Sequence, residues 1–308
     1  LGVLQGHAEY LIVVSKATQS KPEWQKVVKA LQDKHSAKTI VFNKNPSEIL
    51  PTLQKAFPRH TCFVCQPDEV NKAFVREVHQ LTRGLDEDPY SDTQWGILTG
   101  HDADNALRIA KTKNPLVIER VSSGTEVELE RCREGVWYCE LKKNHAVRKK
   151  EGEEPRPFKT PTDTTKLLVD SLNQYKAQLF VTSGHATERD WQIGYRYRNG
   201  SFRSGKGQLY GLDLAGQRHL VNSPNPKVYM PIGNCLMGHI NGQDAMALAF
   251  LKNAGVHQML GYIVPTWYGY AGWGVLDYFV EQPGRHSFTE AFFANQHALI
   301  HRLKDNFP

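Results

Sequence analysis

Two stretches decide how this chain reads: AQLFVTSGHATERDW (residues 177–191) and KVYMPIGNCLMGHINGQDAMALAFLKNAGVHQMLGY (residues 227–262). In each, a short apolar run (179–182 and 228–232) stops abruptly in a turn of small residues. The first turn carries His185 and the second Cys235. Continuous apolar runs closed by glycine are what buried strands of a parallel sheet look like. Ligands of open α/β sheets bind outside the carboxyl ends of the strands. A thiol and an imidazole are therefore expected together on that rim, as a cysteine nucleophile and its base require.

The remaining chain agrees with an α/β fold. Residues 9–15, 38–43, 61–65 and 95–99 read as short strands. Helices are predicted over 22–34, 46–57 and 67–82, and from the GHDADN run to about 111. Pro22 fits a first helical turn, and Trp24, Val27, Val28 and Leu31 make one apolar face. Such alternation is the signature of a mostly parallel sheet flanked by helices. Residues 116–157 break it with period-two alternation, which predicts antiparallel strands. The charged run 149–157 reads as a loop or linker. Asn199 and Gly200 predict a hairpin turn. Helices are expected over 242–254, 273–280 and 287–303, and a strand over 257–264. The organisation expected is an N-terminal α/β subdomain (1–114), a small antiparallel segment with linker (115–160) and a second α/β subdomain (161–308).

Composition narrows the function classes. The chain has 308 residues and a net charge of +6, without a basic stripe interleaved with aromatics, so nucleic acid is not the expected partner. No apolar run is long enough to span a bilayer, and no membrane partner is expected. Five cysteines, an odd and sparse set, argue against a disulfide scaffold. The chain starts at Leu1, which suggests trimming and leans toward export without fixing a compartment.

Cys235 sits among Gly233, Asn234 and Gly238, ahead of the predicted helix from 242, where a helix N-terminus would lower a thiol pKa. The plainer alternative is a small buried hydrophobe. His185 ends an apolar strand and is the preferred base, with His239 its rival. Backbone N–H groups of Gly184, Ala186 and Cys235 are the candidates for an oxyanion site. Trp267 and Trp273, in the loop 265–274, are candidate walls of a substrate pocket, although they also suit plain packing.

The order strand–His, 50 positions (235 against 185), strand–Cys resembles the caspase-like clan of cysteine peptidases. NCLMG (234–238) is similar to the cysteine turn of clostripain-like enzymes. The N-terminal α/β half with WGILTGHDADNALRIA (95–110) resembles the gingipain family. The resemblance implies a cysteine endopeptidase acting on peptide or protein substrates: Cys235 as nucleophile, His185 as general acid–base, and no cofactor. Gingipain relatives bind calcium, which draws attention to Asp102 and Asp104, although Asp before a helix is more often a cap. Two positions depart from the pattern. Ala186 stands where most of the clan has glycine, and Gly233 where clostripain-like enzymes have an aspartate that holds arginine. Asp190 and Asp213 are available as acids, and Arg189, Arg196 and Arg198 as cations, without a sequence signal to choose among them. Glu188 is near His185 in sequence only. The rival function is a non-catalytic caspase-like binding or scaffold domain. A third is a different Cys–His acyl-transfer enzyme, an amidase or ligase.

C-x-x-C at Cys62 and Cys65 lacks the second pair that a zinc ribbon needs. Gly-x-Gly with lysine at 205–207 lacks the helix that would make it a phosphate loop.

Overall fold

The computed structural model describes residues 9–267 and 270–306. The chain forms two compact units, one running to Asn114 and joined by a segment from Phe288 onward, the other spanning Pro115–Ser287.

In the first unit, β1 (Tyr10–Ser15), β2 (Lys38–Phe42), β3 (His60–Val64) and β4 (Gln94–Leu98) form an all-parallel sheet in the order β2-β1-β3-β4. The helices are α1 (Lys16–Gln19), α2 (Pro22–His35), α3 (Leu50–Ala56), α4 (Lys72–Leu81) and α5 (Ala103–Ala110). The predicted apolar stripe of α2 is buried, and its Trp24, Val27, Val28 and Leu31 meet Ile12 and Val14 of β1 and Ala106 and Ala110 of α5 in one core. The helix stops at Ser36, which takes φ +51. The C-terminal helix (Phe288–Asn306) also belongs to this unit, contrary to its expected place in the second subdomain. Its Phe292 packs edge-on against Trp95, with ring centroids 5.6 Å apart, and its Gln296 meets His79 at 3.0 Å.

The second unit is built on a seven-stranded sheet in the order β15-β14-β9-β5-β6-β7-β8. In chain order these are β5 (Arg120–Ser123), β6 (Glu134–Tyr138), β7 (Ala146–Lys149), β8 (Arg156–Phe158), β9 (Leu179–Thr182), β14 (Lys227–Pro231) and β15 (Val256–Met259). Residues 115–160 therefore do not stand apart. β5 and β6 pair in parallel, and only β6–β7 and β7–β8 are antiparallel as the alternation predicted. The connection 124–133, with its 3-10 turn at Leu129–Arg131, crosses over and makes the parallel pairing geometrically available.

A second, antiparallel sheet, β10 (Asp190–Gln192), β11 (Ser201–Gly205), β12 (Gln208–Leu212) and β13 (Arg218–Leu220), lies between the two site strands in sequence. Its tight turn is at Lys206 and Gly207, with φ +52 and +70, rather than at Asn199 and Gly200. A two-residue hairpin of that type needs positive φ at both central residues. Asn199 instead turns inward, accepting from the Thr164 N–H and donating to its hydroxyl, at the start of α6 (Thr165–Asn173).

Aromatic side chains join the two sheets. Phe250 of α7 (Met246–Asn253) stacks on Tyr229 of β14 with centroids 4.0 Å apart. It also meets Phe180 of β9 and Phe202 of β11 at 6.2 and 6.4 Å. Trp191 of β10 closes the cluster against Phe202 at 5.3 Å. All five rings are fully buried. Phe250→Ala is expected to lower unfolding stability by about 3–5 kcal/mol, measured by urea unfolding, because one ring supports both central strands and the antiparallel sheet at once.

Candidate active site

β9 and β14 pair in parallel, with Pro231 opposite Thr182, so the turns that follow them leave the same sheet edge. The turns are tied by a fully buried side chain, Asn234. Its Oδ1 accepts from the Thr182 hydroxyl at 2.6 Å, and its Nδ2 donates to the Gly184 carbonyl at 3.0 Å. Thr182 also shares a hydrogen bond of 3.0 Å with the Tyr229 hydroxyl. One amide side chain thus spans from the residue before Cys235 to the residue before His185. Close packing reinforces it, since a Cβ on Gly233 would collide with the Ser183 hydroxyl. Gly184 takes φ +99, a conformation that side-chain-bearing residues rarely adopt.

His185 is exposed, and its ring lies 4.9 Å from that of Tyr195. Behind it the chain doubles back: Ala186 bridges to Trp191, and the Gln192 N–H donates to the His185 carbonyl at 2.9 Å. Among the described residues, the backbone N–H groups of Gly184, Ala186 and Cys235 donate to no protein acceptor, which leaves three donors near the rim.

Cys235 does not sit at a helix N-terminus. The predicted helix from 242 begins at Met246, and residues 232–238 form successive turns, Leu236 having φ +57. Gly238 approaches the Gly261 backbone too closely for any Cβ, and its N–H donates to the Tyr262 carbonyl at 3.0 Å, so the turn packs along residues 261–264 instead of entering a helix. The half-buried thiol meets Thr266, whose N–H donates to Sγ at 3.3 Å and whose carbonyl accepts from it at 3.5 Å. Trp267, the residue after Thr266, is 79% exposed. Trp273, expected in the same loop, is half-buried within α8 (Tyr270–Phe279).

Other candidates fall elsewhere. Glu188 accepts from the Asn241 amide at 2.7 Å. Asp213 pairs with His219 at 2.8 Å. Asp190 accepts from the Thr187 hydroxyl at 3.1 Å. In the first unit Asp102 caps α5, accepting from the Asn105 N–H at 2.8 Å, and Asp104 lies in its first turn. All five cysteines are free. Burial pushes Cys62 and Cys132 up to about 11, and Cys65 well above the ordinary thiol value.

Sequence reasoning missed Glu140. It follows β6, whose carboxyl end lies on the same edge because β6, β5, β9 and β14 run parallel. Its carbonyl accepts from the Tyr195 and Arg196 N–H groups at 2.6 and 3.2 Å, which fixes the strap that carries the ring beside His185. Its Oε1 accepts from the Thr125 hydroxyl at 2.8 Å, while buried Oε2 has no partner of good geometry. Burial raises the pKa of this carboxyl, and the Thr125 and Ser183 hydroxyls offset part of the rise. The signal was an acid closing the run VWYCE, as His185 closes LFVTSGH.

The chain has a mixed α/β fold of the caspase-like kind, with a dedicated parallel unit ahead of the one that carries the Cys–His edge. No family model matches the sequence, and no curated protein does. Among solved structures, the chain is similar to the crystal structure of the Arg-specific cysteine proteinase gingipain R (RgpB). The TM-score is 0.61 at 10% identity, covering 97% of this chain and 74% of that one. The complex of Porphyromonas gingivalis RgpB pro- and mature domains gives a TM-score of 0.56 at 10% identity, covering 96% and 75%. The likeness is one of fold.

Two measurements test the site's physics. Asn234→Leu leaves the Gly184 carbonyl unpaired in the interior and should cost about 1–3 kcal/mol of stability, read by urea unfolding. For Glu140, a carboxyl pKa raised on folding means that the native state holds its proton after the unfolded state has released it. Stability is then lost as pH rises above the ordinary value of 4.5 toward the raised one. Glu140→Gln should match wild type at lower pH and become the more stable of the two as pH climbs, in unfolding midpoints compared across that range.

Proposed function

We propose that the chain is a cysteine endopeptidase. The observation that carries this reading is the Asn234 bridge, which fixes the His185 and Cys235 turns to each other at the carboxyl edge of two paired strands. In the first step His185 takes the thiol proton, and Sγ bonds to a peptide carbonyl carbon. The oxyanion is met by N–H donors drawn from Cys235, Gly184 and Ala186. The C–N bond then breaks as the imidazolium returns the proton to the leaving amine. Water, deprotonated by His185, hydrolyses the thioester. The imidazole also needs an ordered neighbourhood, and the Glu140 carbonyl supplies one by pinning the Tyr195 strap. No step requires a cofactor. Support comes from the caspase-like fold, from the free thiol and from the unengaged N–H groups of the rim.

Two observations favour the scaffold reading. The thiol is already engaged by both backbone groups of Thr266, and Ala186 replaces the glycine of the clan. Peptide cleavage separates the two. A mixed fluorogenic library should be cut by wild type, with Cys235→Ala and His185→Ala each lowering kcat/KM by about 1000-fold or more. Cleavage persisting in Cys235→Ala would overturn the proposal. Background activity in all three chains, with no preferential alkylation of Cys235, would favour the scaffold.

A further inference from the structure

Beside His185 lies an open groove of about 730 Å³ on the face of the antiparallel sheet and the 195–199 strap. Gln192 and Tyr195 form its near end. The Gln192 N–H bonds the His185 carbonyl, and the Tyr195 ring faces the imidazole. Two lining residues of the groove therefore touch one of the two proposed catalytic residues.

Its lining includes Arg196, Arg198 and Arg203. All three are exposed, and among the described residues no carboxylate lies within ion-pair distance of any of them. Arg203 spends only its Nε, on the Ser201 hydroxyl at 3.2 Å. Two carboxylates share the groove, but each is engaged. Asp213 is held by His219 and by the Ala215 and Gln217 N–H groups, and Asp190 by the Thr187 hydroxyl. Three guanidinium groups against two carboxylates leave the lining with one net positive charge, with Asp190 opposite Arg203 on the paired strand.

The site is also preformed. The Glu140 carbonyl holds the Tyr195 and Arg196 amides, the Tyr197 hydroxyl donates to the Cys139 carbonyl at 2.7 Å, and the Asn199 side chain is buried. The arginines thus stand on fixed backbone, which limits the ordering cost of binding. The volume is in the range of a ligand cleft, about 300–1000 Å³, far more than one acidic side chain fills.

We infer that this groove binds a run of acidic residues on the substrate polypeptide, seated on Arg196, Arg198 and Arg203 and leading to the His185–Cys235 edge. The inference rests on the peptidase reading of the same edge for its purpose, but its binding test does not depend on cleavage. Planar guanidinium groups match carboxylates in paired hydrogen bonds. Mixed with the Asp190 and Asp213 carboxylates, the three cations suit discrete carboxylates spaced along a peptide better than a continuous phosphate backbone.

The test uses the full chain with Cys235→Ala and fluorescein-labelled decapeptides, one carrying four Glu or Asp, one with Gln and Asn in their place, and a single-stranded DNA decamer. In anisotropy titrations the acidic peptide is expected to bind at least about tenfold tighter than the neutral one, with the gap narrowing in salt. The triple variant Arg196→Gln, Arg198→Gln, Arg203→Gln should abolish the gap. An equal loss of charge at exposed Lys26, Lys44 and Lys72 should leave it intact. Equal affinity for both peptides would overturn the inference, as would a preference that survives the triple variant or DNA binding tighter than the acidic peptide. In the cleaving chain, the triple variant should raise KM for acidic substrates while kcat holds. Failure to cleave with selective binding intact would remove the peptidase reading and leave the groove assignment standing.

Discussion

A single buried amide, Asn234, holds the two halves of the site in one geometry. Asparagine carries both an acceptor and a donor at fixed separation, and here each is used, on the Thr182 hydroxyl and on the Gly184 carbonyl. Both partners are backbone or near-backbone groups of the neighbouring strand, so the bridge transmits strand position to the His185 and Cys235 turns without a flexible link. Aspartate would lose the donor, and leucine both bonds. Buried polar groups are costly unless satisfied, and the Asn234 hydrogen bonds, like the aromatic packing beneath them, are met only when β9 and β14 stand in register.

That register is held from below. Tyr229 of β14 and Phe180 of β9 lie opposite each other and stack 5.5 Å apart, with Phe250 against both. A one-residue slip of either strand would send its ring to the other face, break the stack and move Cys235 away from Asn234's partners. The apolar cluster supplies the bulk of the burial and the amide supplies the specificity. Each alone would be insufficient: packing tolerates small shifts, whereas two hydrogen bonds in opposite directions do not.

What the sequence made legible follows from this division. The runs LFVT (179–182) and VYMPI (228–232) show no polar face, so their place in a covered parallel sheet is readable, and with it the edge on which His185 and Cys235 fall. The first unit was readable from its alternation of short strands with helices, with Pro22 and Asp102 marking helix starts. Residues 120–138 were not, because charged residues interrupt short strands and mimic one-sided alternation, while strand direction is set by the crossover at 124–133. The hairpin was misplaced because Asn-Gly is a turn signal only when its φ angles are free. Asn199 was taken by Thr164, a partner distant in sequence. Glu140 and the arginine groove depend on which strand ends meet and which side chains remain unpaired, and neither property is encoded locally.

The cysteine turn shows how backbone can replace a helix. With α7 starting only at Met246, Cys235 does not stand at the N-terminus of that helix. The turn instead lies along residues 261–266 through bonds from Leu236 to Val264 and from Gly238 to Tyr262, and this pairing brings the Thr266 amide and carbonyl to Sγ. One residue therefore offers a donor to a thiolate and an acceptor to a thiol. The glycines at 238 and 261 permit the approach, since either Cβ would strike the opposing backbone. The segment after β15 is thus a structural part of the setting of Cys235. A change there would act on Cys235 through the backbone, even where no side chain of the segment touches substrate.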